Sequence, residues 1–274
     1  MPAMSVDVLT AGPVDRRWLA KAWPLVWPPL AMAILICIVW EAITISFEIP
    51  AYIIPSPSRI WEAFWGNPSA LLYHAGVTLT EAVAGCIIGS LLGAMLGTAF
   101  AYSSLLARGL LPFVIAANTI PVVAIAPIII IWFGHGIESK IAVTTFLSFF
   151  PLALNMMKGL QSYDRIIMDV FHVAAATPLQ RFFKMRLPSA LPYVFVGIKI
   201  NVSFSIIGAI VSEFVQADKG LGFVIMTTYR NLNMPRLWAA LFISALLGMA
   251  FFALVTLVER LVIPWHSSVR AESQ

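Results

Sequence analysis

Six runs of this chain, each at least about 20 residues long, carry two charged residues or fewer. They lie at Leu25–Phe47, Val77–Tyr102, Leu111–Phe133, Ile141–Leu160, Pro192–Val215 and Leu237–Leu257. A hydrocarbon layer about 30 Å thick takes roughly 20 helical residues to cross, and within it every backbone polar group must be bonded inside the protein. Helices meet that demand locally. The pattern therefore predicts an all-α, polytopic membrane protein with about six transmembrane helices. Composition agrees: 60% of the 274 residues are hydrophobic and 11% are charged, with a mean hydropathy of +0.90. A soluble domain carries about 25% charged residues, and no stretch here is polar enough to form one.

The net charge of +4 does not point to nucleic acid, because Lys and Arg sit at the ends of the apolar runs. With the N-terminus inside, eleven of them fall on the cytoplasmic side and five (Arg59, Lys140, Lys219, Arg230 and Arg236) on the outer side, leaving Lys199 near a membrane end. The positive-inside rule then places both termini in the cytoplasm. Residues 1–22 are expected to be a cytoplasmic segment, 23–262 the membrane domain and 263–274 a cytoplasmic tail. The first apolar run is too long for a cleavable signal. Between the first two runs, a Pro-rich connector leads to Arg59-Ile60-Trp61-Glu62-Ala63-Phe64-Trp65, whose aromatic residues suit an interfacial helix. Cys37 and Cys86 lie in apolar runs, and the four histidines have no metal-ligand spacing; neither a metal site nor a catalytic constellation is expected.

The connection from about 161 to 191 differs from a plain linker. Charged residues alternate there with Ile166, Ile167, Val170, Phe171, Val173, Phe182 and Phe183. Such a mix predicts short amphipathic helices that dock on a partner. Asp169 stands six residues before Ala175, and Leu187-Pro188 follows twelve later, opening Leu187-Pro188-Ser189-Ala190-Leu191-Pro192.

That spacing resembles the cytoplasmic loop of bacterial ABC importer permeases, which runs Glu-Ala-Ala, three residues, Gly, and then a long gap to Leu-Pro. Here Asp169 replaces Glu, Val170-Phe171 replaces Ala-Ala, and Ala175 replaces Gly. Ile54-Pro55-Ser56-Pro57, Pro121 through Pro127 with Ile131-Trp132-Phe133-Gly134, Ser212-Glu213-Phe214-Val215 with Lys219-Gly220-Leu221-Gly222, and the closing Pro264-Trp265-His266 are similar to the nitrate/sulfonate/taurine branch. The resemblance implies a type I importer permease fold in a bacterial inner membrane, a homodimer, one ATP-hydrolysing ABC subunit bound to each copy, and an external substrate-binding protein. ATP and Mg would be held by the ATPase, because this chain has no Gly-x-x-x-x-Gly-Lys-Ser/Thr loop.

Candidate working residues follow. Asp169, Val170, Phe171, His172, Val173, Ala174, Ala175, Arg181, Lys184, Leu187 and Pro188 would couple to the ATPase, with Pro178 ending or kinking the short helix. Gly85, Gly89, Gly93 and Gly97 form a small-residue stripe that predicts close helix packing. Asn118 and Thr119, beside the kink-forming Pro121 and Pro127, are candidates to line the translocation path. Asn201, Ser205 and Ser212 share one helical face, which suits either a helix interface or a hydrated path; Glu213 lies near its outer end. An ATP-independent secondary transporter is the alternative, and it would place buried charges along a cavity.

Overall fold

The structure, a computed structural model, describes the backbone of residues 16–264 and the side chains from Trp27 on, Gln216 aside. Residues 1–15 and 265–274, with Trp265, His266 and most of both predicted terminal segments, lie outside the described residues. The chain divides into two compact units at Arg59. In the first, α1 (Arg16–Ser46) is a long apolar helix whose described side chains, from Trp27 on, are mostly exposed. Its end is tied to the next element by Glu41, which accepts hydrogen bonds from the Ser58 backbone N–H at 3.0 Å and the Ser58 hydroxyl at 2.7 Å. Those bonds fix the start of α2 (Pro57–Gly66), the aromatic helix read from the sequence.

In the second unit, α3 (Pro68–Tyr102) is followed by α4 (Ser104–Thr119), α5 (Val122–Phe133) and α6 (Ile137–Gln161). Two short helices, α7 (Arg165–Val173) and α8 (Pro178–Arg181), lead through a π-helical turn at Phe182–Arg186 into α9 (Leu187–Gln216). Then come α10 (Leu221–Arg230) and α11 (Met234–Val262). The core is the three-helix packing of α3, α6 and α9; α5, α10 and α11 lie against it. Among the described residues, five helices are long and apolar enough to cross a membrane, and α4 with α5 makes a sixth crossing if taken together.

That pair covers the expected kinked span at Leu111–Phe133, and the kink is sharper than a bend within one helix. The two helices bend by 102° at Ile120-Pro121. Proline disfavours helical backbone in the residue before it, and Ile120 is accordingly extended at φ −71°, ψ 128°. Pro127, by contrast, is accommodated inside α5. The predicted loop 161–191 is also largely helical. Pro178 begins a helix instead of ending one, inside a capping box in which Thr177 and Gln180 bond each other's backbone N–H groups. Leu187 and Pro188 form the first turn of α9, where proline's missing N–H costs nothing. The helix α10 was not foreseen.

All three described non-glycine residues with positive φ occupy the same kind of place: Glu48 (48°), Ala175 (51°) and Leu232 (52°). Each follows a helix end and completes two reverse bonds. For Ala175 these run from its own N–H to the His172 carbonyl at 3.0 Å and from Ala176 N–H to the Phe171 carbonyl at 3.0 Å. This is the Schellman arrangement, which usually employs glycine because a Cβ is strained in the left-handed region.

Candidate functional site

The end of the bundle that carries α10 closes on itself through buried polar groups. Glu213, 1% exposed on α9, accepts from the Gly222 backbone N–H at 2.5 Å and from the Thr78 hydroxyl at 2.7 Å. Thr78, on α3, in turn accepts from Leu221 N–H at 2.8 Å, and His74 Nδ1 accepts from Gly220 N–H at 3.1 Å. The first N–H groups of a helix have no partner within it and favour an anionic or carbonyl-like oxygen; here α3 and α9 supply the acceptors. The glycines make the approach possible. Gly220 sits at φ +99°, and a Cβ there would overlap the Glu213 carboxyl; a Cβ on Gly222 would lie 2.5 Å from the Ile210 carbonyl oxygen. The motif Ser-Glu-Phe-Val followed by Lys-Gly-Leu-Gly is thus a latch between α9 and α10. Glu81 lies beside Glu213, and Lys140 is within electrostatic range of both. Lys140, in the first turn of α6, is 4% exposed and donates to the His135 carbonyl at 2.6 Å.

Midway along the bundle, Gly85, Gly89, Gly93 and Gly97 all face α6. A Cβ on Gly89 would meet Ser148 Cβ at 2.8 Å and the Thr145 carbonyl oxygen at 2.9 Å, so any larger residue would push the two helices apart. The polar face of α9 packs inward in the same way. Asn201 Nδ2 donates to Ser90 Oγ on α3 at 2.9 Å, while Ser205 and Ser212 donate to carbonyls three residues back in their own helix. All three are fully buried. Asn118, Thr119, Pro121 and Pro127 stand apart from them, exposed on α4, α5 and the link between them. The eight candidate path residues therefore form two groups, one interior and one on an outward face.

The opposite end, built by α7, α8 and the π turn, exposes its apolar side chains. Asp164 caps α7 by accepting from Ile166 N–H at 2.8 Å. Met168 is buried, so the helix is seated on that side; Ile166, Val170 and Val173, at spacings of four and three, point outward at 73%, 62% and 90% exposure. Asp169, His172, Ala174, Ala175 and Lys184 are exposed as well, whereas Phe171, Arg181, Leu187 and Pro188 are half-buried. The exposed face thus centres on Val170 and Val173 rather than Phe171. Arg181 braces the turn, donating from Nε to the Ala176 carbonyl at 3.0 Å and meeting His172 Nε2 at 2.7 Å through Nη1.

Two tethers below this surface escaped the sequence reading. The Arg186 guanidinium lies 4.8 Å from the ring centres of both Tyr102 and Tyr163, fastening the π turn to the ends of α3 and α6. Lys199, expected near a membrane end, forms an ion pair with Glu259 that joins α9 to α11. Residues so far apart in sequence leave no local spacing to detect.

A broken crossing, a self-latched end and a short-helix platform at the other end define a class: a helical membrane transport subunit whose platform is built from one inter-helix loop. The comparisons make the family definite. Residues 85–264 match the binding-protein-dependent transport system inner membrane component, and the chain belongs to that family, the permease subunits of ABC importers. It is 33% identical over 239 residues to the formylaminopyrimidine transport permease protein ThiX of Halalkalibacterium halodurans, covering 87% of this chain and 95% of that one. It is 32% identical over 266 residues to the riboflavin transport system permease protein RibX of Chloroflexus aurantiacus, covering 96% and 99%. Permeases for aliphatic sulfonates, taurine and nitrate are further relatives, matching the branch read from the sequence. An inward-facing structure of the MetNI methionine ABC transporter shares the fold, with a TM-score of 0.59 at 19% identity over 71% of this chain and 95% of that one.

Proposed function

We propose that this chain forms the membrane path of an ATP-driven importer for a small organic solute, with both termini in the cytoplasm. The observation that carries the reading is the α7 face. Ile166, Val170 and Val173 are large apolar residues held outward on a capped, braced helix, at an end of the bundle rich in Lys and Arg. A cytoplasmic ATPase subunit seated there would bind ATP and Mg and push on α6 and α9 through the two ends of the loop. The permease itself contributes no chemistry. A second copy would cover the outward face that carries Asn118, Thr119, Pro121 and Pro127, and the solute would pass between the copies. An external binding protein would deliver the solute to the α10 end.

Two observations favour an organic solute over an inorganic anion. The relatives named for formylaminopyrimidine and riboflavin, both nitrogen heteroaromatics, are 33% and 32% identical to this chain. Two inward cations are also engaged: buried Lys140 donates to a backbone carbonyl, and half-buried Lys199 pairs with Glu259. The family match weighs against a secondary transporter.

Reconstitution of the permease with its ATPase and binding protein in liposomes tests the reading. We expect ATP-dependent uptake of a pyrimidine or flavin. Uptake that persists without ATP, or a permease that never binds an ATPase, would refute the importer. ATP-driven uptake of taurine or nitrate alone would refute the solute class.

A further inference from the structure

At the α10 end, a cavity of about 210 Å³ opens between α3, α10 and the start of α11, lined among others by His74, Thr227, Asn231, Asn233 and Arg236. No Asp or Glu lines it. Arg236 is half-buried, and the hydrogen bond it makes among the described residues runs from its backbone N–H to Asn233 Oδ1 at 3.3 Å, leaving the guanidinium uncommitted. That bond caps α11, whose first turn adds the partial positive charge of a helix N-terminus. The carbonyls at the end of α10 would repel an anion if they were bare, but they are occupied. Asn231 N–H bonds the Thr227 carbonyl at 3.2 Å, Leu232 N–H bonds Tyr229 at 3.1 Å, and Asn233 N–H bonds Thr228 at 2.9 Å. Because His74 Nδ1 accepts from Gly220, its neutral ring carries the hydrogen on Nε2 and has a donor to offer. A cation, an amide and an imidazole N–H therefore line a recess that holds no carboxylate partner.

We propose that this recess receives a carboxylate side chain of the external binding protein, so that docking is read at Arg236. The inference rests on the importer reading above, which puts this end outside. Size selects the occupant: about 210 Å³ falls short of the roughly 300–1,000 Å³ of pockets that enclose small-molecule ligands, yet it admits an Asp or Glu side chain. The rim suits a protein contact, with Tyr229 and Leu232, sequence neighbours of the lining residues, both exposed; Arg and Tyr are common interface anchors. The site also touches the latch. The His74 ring that faces the recess is the same ring that holds Gly220 at the start of α10, so an arriving carboxylate acts on the element that closes the outer end.

The test is a titration of the binding protein that supports uptake with this permease, against the permease–ATPase complex in lipid nanodiscs. Arg236→Glu should weaken docking by at least about tenfold, Arg236→Lys by less than about threefold, and Arg236→Gln should flatten the salt dependence. Asn231→Asp, an exposed substitution that puts a like charge at the mouth, should weaken docking as well, which keeps the test valid if Arg236→Glu fails to assemble. Docking of Arg236→Glu and Asn231→Asp at wild-type strength would overturn the proposal. So would unchanged docking with a raised half-saturating solute concentration, because the recess would then serve the free solute. A wild-type complex that binds no binding protein would instead bring down the importer reading, and that outcome is visible before any variant is made.

Discussion

The two ends of the second unit handle polar groups in opposite ways. At the α10 end, Glu213, Thr78 and His74 are turned inward and bonded to the backbone of α10, so the end is closed by its own residues. At the α7 end, Ile166, Val170 and Val173 are turned outward, while the bonded groups Arg181 and Arg186 brace the segment from beneath. A surface that leaves large aliphatic side chains in water is incomplete without a partner. The comparison teaches that closure at one end is intramolecular and, on the reading proposed above, completion at the other is intermolecular. Substitutions at the first should therefore appear in the stability of the chain alone, and substitutions at the second only in the assembled complex.

The largest effect is expected from Glu213→Ala. It orphans the buried Gly222 N–H, at roughly 1–3 kcal/mol, and leaves the Thr78 hydroxyl only the His74 carbonyl, at 3.2 Å. The isolated permease in detergent should unfold at a lower temperature, with a stability loss of about 1–3 kcal/mol, and uptake should fall at least about tenfold. Unchanged unfolding would show that the latch does not hold the outer end.

Val173→Asp comes next and reverses the pattern. With 90% of its surface already in water, Val173 should be replaceable with less than about 0.5 kcal/mol of change in the permease alone. Affinity for the ATPase should nevertheless fall about tenfold, measured by co-purification across a dilution series. Phe171→Asp should also uncouple ATP hydrolysis from uptake, but because Phe171 is half-buried it should cost stability too.

The spans were legible because hydropathy over 20 residues is a local, additive signal. What it could not convey was shape within a span: Pro121 reads as a kink, but a 102° turn is set by what α4 and α5 pack against. Helix α10 was hidden by its length. At ten residues it falls below the threshold for a crossing, and Lys219-Gly220-Leu221-Gly222 reads as a loop until Glu213 is seen to occupy the space that both glycines leave. A carboxyl followed within nine residues by Gly-Leu-Gly was the available clue. Thr78 is 135 residues from Glu213, a pairing no spacing rule could suggest.

The α7 loop was legible in register but not in its outcome. The importer pattern places glycine where this chain has Ala175, and the structure gives the physical reason: φ is +51° in a Schellman turn. The smallest predicted effect follows from it. Ala175→Gly should relieve about 1 kcal/mol of left-handed strain, slow hydrogen exchange in α7 and tighten ATPase binding a few-fold. Weaker binding would mean that alanine's restriction of the unfolded loop outweighs the strain.

The central claim is that the α7 face is the cytoplasmic seat of the ATPase. Cysteine accessibility measures it most directly. With Cys37 and Cys86 replaced by alanine, Val173→Cys is exposed to a membrane-impermeant maleimide in inside-out and right-side-out vesicles. The account predicts rapid labelling only in inside-out vesicles stripped of ATPase, and protection once the ATPase is added back. Labelling from the outside, or equal labelling with the ATPase bound, would contradict it.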